Sequence, residues 1–152
     1  MTLPAIELRR GDSPEIETFL ADRIGEFNSK ATGYYDGESF AAVQRDELGT
    51  ILAGISGHTW GGVCFVSYLW VAAEHRGKGM GGTLLRIVEQ HAEDRGCQFV
   101  LLSTHSFQSP DFYSRMGYEQ QVSVKDHPVG HSNILYAKRL RRTGESVAAS
   151  GN

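Results

Sequence analysis

Leu69-Trp70-Val71-Ala72-Ala73-Glu74-His75-Arg76-Gly77-Lys78-Gly79-Met80-Gly81-Gly82 is the stretch on which the fold turns. An apolar strand runs into a glycine-rich turn, and the turn opens a helix whose apolar positions Met80, Leu84, Ile87, Val88, His91 and Ala92 recur at helical spacing until Gly96. Four of the six residues 77–82 are glycine, a costly loss of chain entropy if nothing approaches the backbone there. Residues without side chains let backbone N–H groups reach phosphate oxygens, and a helix N-terminus adds a favourable dipole. Arg76 and Lys78 supply countercharge.

Gly77, Gly79 and Gly82 also satisfy the G-x-G-x-x-G of a dinucleotide fold. That fingerprint needs a carboxylate at the end of the next strand, which here reads Ser103-Thr104-His105. A P-loop fails because no Gly-Lys-Ser/Thr triplet follows. A purely structural glycine turn is the bland alternative.

Working outward, Ala5 to Arg10 has strand character, and Ser13-Pro14 starts a helix that carries Ile16, Phe19, Leu20, Ile24 and Phe27 to about Asn28. Residues 32–38 form a loop. Phe40 to Arg45, Ile51 to Gly57 and Val63 to Ala72 follow as strands joined by tight turns. Beyond the glycine loop and its helix come a buried-type strand from Gln98 to Thr104, a short helix from Pro110 to Met116, and strands near 118–125 and 134–140. The order β-α-β-β-β-α-β-α-β-β, with hairpins in its middle, implies an α/β (α+β type) domain. Its mixed, mainly antiparallel sheet of six to seven strands is flanked by helices. Residues 1–140 are expected to form this single domain, and 141–152, rich in Ser, Ala, Gly and Arg, a disordered tail.

Arg76-x-x-Gly79-x-Gly81 resembles the pyrophosphate loop of the GNAT superfamily of acyl-CoA-dependent N-acyltransferases. Phe112-Tyr113-Ser114-Arg115-Met116-Gly117-Tyr118 resembles that family's FY-x-x-x-GF/Y segment, and the element order agrees over residues 5–140. The resemblance implies an N-acetyltransferase that moves an acetyl group from acetyl-CoA to a primary amine and releases CoA. It implies that Arg76, Gly77, Lys78, Gly79, Met80, Gly81 and Gly82 hold the pyrophosphate. The family's fourth strand bends from its fifth, so backbone groups of Leu69, Trp70 and Val71 would take the pantetheine arm and the thioester oxygen. Tyr113 becomes the general acid for the departing thiolate, since a phenol titrates near ~10 and a thiol near ~8.5. Packing in the core is the other reading of its ring. Ser106, seven residues earlier, stands where many relatives have a cofactor-bonding Asn, and the resemblance makes its hydroxyl the corresponding cofactor contact.

No base is visible on the strand before the loop, and Asp36, His58 and His105 are the candidates elsewhere. Tyr34, Tyr35, Asp36, Trp60, His105 and Gln108 are expected to line the acceptor pocket, where aromatics with one carboxylate suit a cationic amine. Glu74 is expected to face solvent, and Cys64 and Cys97 to be buried free thiols. His127 and His131 have zinc-helix spacing, but Pro128 and Gly130 break the helix they would need, so no metal is expected.

Net charge −3 and a pI near 6.0 give no general basic field for nucleic acid. The basic cluster Lys138, Arg139, Arg141, Arg142 reads as a solvated end. No apolar run approaches the roughly 20 residues that span a bilayer, and no leader is visible, so no membrane partner and a cytoplasmic address are expected. A homodimer is compatible with the sequence. Three functions compete: acetylation of a small amine, acetylation of a protein or peptide at Lys or an N-terminus, and a non-catalytic acyl-CoA-binding module.

Overall fold

The computed structural model describes residues 1–141; the expected tail, and with it Arg142, lies outside the described residues except for residue 141. Two compact units divide the chain, the first ending at Tyr35 and the second beginning at Asp36.

The first unit holds one helix, α1 (Pro14–Thr32). Pro14 occupies its first turn, and the Ser13 carbonyl accepts the N–H groups of Ile16 and Glu17, each at 3.0 Å. The Ser13 hydroxyl makes no capping bond. The helix runs four residues past Asn28 and stops at Gly33, whose φ of 78° breaks the helical path while its N–H closes on Ser29. Ala5 to Arg10 is not a strand. A strand needs a neighbour whose backbone takes its hydrogen bonds, and the first unit contains no other strand.

The second unit is a six-stranded sheet in the order β1-β2-β3-β4-β6-β5. Its strands are β1 (Glu38–Arg45), β2 (Ile51–Trp60), β3 (Val63–Val71), β4 (Phe99–His105), β5 (Glu119–Lys125) and β6 (Ser132–Arg139). Its helices are α2 (Met80–Asp94) and α3 (Pro110–Arg115). All pairings are antiparallel except β3 with β4. The hairpins form for local reasons: the Asp46 carboxylate accepts the N–H groups of Leu48 and Thr50, and Gly61 and Gly62 take the positive φ of a two-residue turn.

Leu84, Leu85, Val88 and Ala92 of α2 pack on Ala53, Ile55, Cys64, Val66, Val100 and Leu102 of the sheet. Burying each large apolar side chain contributes about 1.5–3 kcal/mol, so this face holds the unit together. Cys64 and Cys97 are buried free thiols, and burial pushes the Cys64 thiol up to about 12. Lys138 departs from its expected solvated place: its Nζ lies 2.7 Å from an oxygen of Glu89, a carboxylate buried on α2. Tyr118, whose phenol is raised chiefly by burial and then by Glu89, donates to the same carboxylate at 3.5 Å. These bonds tie α2 to the far half of the sheet. Among the described residues no helix is long and apolar enough to cross a membrane.

Candidate active site

Parallel pairing of β3 with β4 begins at Val63–Phe99 and ends at Val66–Leu102, although both strands continue. The cause lies on the other edge of β3. Ser56 pairs with Tyr68 and Gly57 with Val66, so Ser67 is an extra residue, a bulge that bends the strand. Gly57 permits it, because a β-carbon there would lie 2.0 Å from the Phe65 carbonyl oxygen. From Ser67 onward β3 keeps β2 on one side and, among the described residues, has no strand on the other. Leu69, Trp70 and Val71 therefore line a split in the sheet, with backbone groups on the β4 side not used by a ladder.

The chain leaves Val71 through a short 3-10 turn, Ala73–His75, with Glu74 exposed as expected. Arg76 follows, and its Nε donates to the Val71 carbonyl at 3.0 Å. That bond anchors the loop to the strand end. Gly77 and Gly79 take φ values of 75° and 84°, and among the described residues no heavy atom beyond their immediate chain neighbours lies within 4 Å of where their β-carbons would stand. Gly79 caps α2, and its carbonyl accepts both the N–H and the hydroxyl of Thr83 at 3.0 Å. The N–H groups of Met80, Gly81 and Gly82 precede the first intrahelical bond and point out of the helix start. No acidic residue occupies that first turn. Open space, outward donors and cations together suit a bound diphosphate.

Two neighbours of this cradle were not legible in the sequence. Phe112 of α3 approaches to 3.5 Å from the β-carbon position of Gly81, with Val71 at 3.7 Å, so loop, strand end and α3 meet at one point. Arg86 reaches back to 3.4 Å from the corresponding position at Gly82, adding a cation whose only sequence signal was its four-residue spacing from Gly82.

Tyr113 is half-buried on the α2 side of the sheet, its ring 6.0 Å from those of Tyr118 and Tyr136. Burial raises its phenol above the ordinary range. Its hydroxyl makes no hydrogen bond within the described residues. The only buried side-chain N or O atom there without a partner is His91 Nε2, so the hydroxyl reaches solvent. The ring thus packs while its polar end stays available, as a proton donor requires.

Ser106 and Gln108 shape the exit from β4. The Ser106 N–H donates to the Ser132 carbonyl, and its hydroxyl oxygen accepts the Ser132 N–H at 2.9 Å, leaving the hydroxyl proton to offer. Gln108 accepts from the Thr104 hydroxyl and the His105 N–H, at 3.0 and 2.8 Å, closing the turn into α3. The residues expected to line one acceptor pocket do not assemble. His105 and Gln108 lie at the C-terminal end of β4. Asp36 and Trp60 lie toward the opposite end of the sheet: Trp60 is level with Val63 and Phe99, six residues or about 20 Å along β4 from His105. There the Asp36 carboxylate accepts the Gly61 N–H at 3.0 Å, and Arg95 bonds the Asp36 carbonyl. A concavity of about 350 Å³ lined by His58, Trp60, Val63 and Phe65 belongs to that far end too. Tyr34 and Tyr35 belong to the first unit. His127 and His131 flank a turn, not a helix, between β5 and β6.

A family model described as the acetyltransferase (GNAT) family matches residues 5–118. Blasticidin-S acetyltransferase of Streptomyces morookaense is 36% identical over 104 residues, covering 68% of this chain and 76% of the relative. Streptothricin acetyltransferase of Streptomyces lavendulae is 30% identical over 110 residues, covering 70% of this chain and 58% of the relative. The crystal structure of an acetyltransferase from Bacillus cereus superposes with a TM-score of 0.75 at 29% identity, covering 88% of this chain and 98% of that one.

Proposed function

The chain belongs to the acetyltransferase (GNAT) family, and on that premise we propose that it acetylates the primary amine of a small molecule by direct attack in a ternary complex with acetyl-CoA. The observation that carries the reading is the open glycine cradle at the start of α2, set beside the split where β3 leaves β4. A β-carbon at Gly77 or Gly79 would fill space left open among the described residues. The residues fit a diphosphate: Arg76 and Lys78 give charge, and the N–H groups of residues 77–82 give donors.

Acetyl-CoA supplies an acyl group already activated as a thioester. The protein's part is to hold, orient and manage protons. A backbone N–H among Leu69, Trp70 and Val71 stabilises negative charge as it develops on the acyl oxygen. Tyr113, kept protonated by its burial, donates to the departing sulfur. The Ser106 hydroxyl proton remains free to bond the cofactor. A small acceptor is supported by the two relatives named for blasticidin-S and streptothricin.

Thiol release from acetyl-CoA, followed across a panel of small amines and Lys- or N-terminal peptides, tests this. The reading expects turnover with one class of small amine. Turnover confined to peptides would move the acceptor to proteins, and CoA binding without turnover on any amine would leave a binding module.

A further inference from the structure

His105 ends β4, one residue past buried Thr104, so strand alternation puts its side chain on the sheet face opposite α2 and Tyr113. Its Nδ1 lies 3.1 Å from the backbone carbonyl of His127. A carbonyl only accepts, so Nδ1 carries the proton and Nε2 keeps its lone pair. The Asn133 side-chain nitrogen also faces Nδ1, but at 3.5 Å; the shorter contact to a fixed backbone carbonyl decides the tautomer. The ring is held besides by stacking on Phe107, centroids 5.2 Å apart and planes 3° apart. We infer that His105 is the proton acceptor for the amine, its Nε2 serving the acceptor side of the split while Tyr113 serves the sulfur side. This rests on the acetyl-transfer reading above.

The other candidate bases are engaged or remote. Asp36 closes the Gly61 turn at the far end of the sheet, and His58 lines the concavity there. The titratable groups in contact with His105 come from the turn between β5 and β6, and exposed Tyr68 of β3 stands on the same sheet face across the split. The His127 ring lies 5.5 Å away, and His131 stands beyond Phe107. Asp126 spends a carboxylate oxygen on the Gly130 N–H. The exit from β4 and the start of β6 contribute only uncharged Ser106, Gln108, Ser132 and Asn133.

In the transfer, the amine nitrogen bonds to the acyl carbon, the carbon–sulfur bond breaks, and its electron pair leaves on sulfur. His105 Nε2 takes the proton shed by nitrogen, and Tyr113 gives one to sulfur. Imidazolium and phenolate return to their resting forms by proton exchange through solvent, so the net products are amide and free thiol.

Two measurements test this. Long-range proton–nitrogen NMR of the free protein reads the tautomer directly: the inference expects His105 protonated on Nδ1 and bare on Nε2, and the reverse overturns it. For catalysis, His105→Gln should lower kcat by about 100-fold or more and abolish the acid limb that wild type shows at saturating amine. Calorimetric CoA affinity should stay within about threefold, and added imidazole should restore part of the rate to His105→Ala. If wild type turns over an amine while His105→Gln keeps its rate and acid limb, the inference falls alone. If wild type accepts no amine, the acetyl-transfer reading fails first and takes this inference with it.

Discussion

A β-carbon placed on Gly57 would lie 2.0 Å from the carbonyl oxygen of Phe65 and 2.8 Å from Cζ of Phe40. The Phe40 ring can swing aside, but the Phe65 carbonyl belongs to the strand whose bulge opens the sheet. Gly57→Ala should therefore destabilise by about 1–3 kcal/mol or more, as overpacking against fixed groups does. Any folded fraction should bind CoA more weakly, because the bulge at Ser67 would shift. Gly54→Ala is the comparison: its β-carbon would meet Val43 at 3.3 Å, a side chain able to give way. Denaturant unfolding of both variants checks this, and equal stability would show that β3 tolerates a different path.

The positions of α1, α2 and the central hairpins were legible because their signals are local: Ser13-Pro14 before a helical period, Gly61-Gly62 between apolar runs, glycines opening α2. What was not legible depended on partners. Ala5 to Arg10 has a strand's composition, but backbone pairing rather than composition makes a strand. The loop 76–82 was readable as an anion cradle from its glycines, whereas the bulge beside it left only a trace, a lone glycine inside a strand. Asp36 and Trp60 were grouped with His105 by residue type. Extension of β2 to Trp60 carries their turn to the other end of the sheet.

Stability should fall in alkali. Cys64 ordinarily titrates at 9.0 and is pushed up to about 12 in the folded chain by burial, with buried Cys97 adding to the effect. A group whose folded value is raised favours folding while both states hold the proton, and the benefit drains away as pH climbs from 9.0 towards about 12. The Tyr118 and Tyr113 phenols, raised from 10.0, act in the same direction at higher pH. Melting temperature should be flat near neutrality and drop above pH 9, more steeply in wild type than in Cys64→Ala. Equal slopes would mean that the thiol does not ionise on unfolding.

Tyr113→Phe keeps the ring contacts with Phe112, Tyr118 and Tyr136 and removes only the hydroxyl. Melting temperature and CoA affinity should change little, while kcat should fall about 10²–10⁴-fold, the usual cost of losing a general acid. Because burial raises the phenol, wild type should show no loss of rate attributable to this group below pH 10. A variant within threefold of wild type on its amine would make Tyr113 a packing residue.

The loop from Arg76 to Gly82 is the centre of the account, and calorimetric titration of acetyl-CoA into wild type, Arg76→Ala and Gly79→Val tests it most directly. Arg76→Ala loses both a cation and the 3.0 Å bond to Val71. Gly79→Val puts a branched side chain into the open space of the cradle, at a φ of 84° that β-branched residues resist. The account predicts saturable one-site binding by wild type, about tenfold weaker binding by Arg76→Ala, and none by Gly79→Val with a native circular dichroism spectrum. No binding by wild type, or unchanged binding by a folded Gly79→Val, would contradict it.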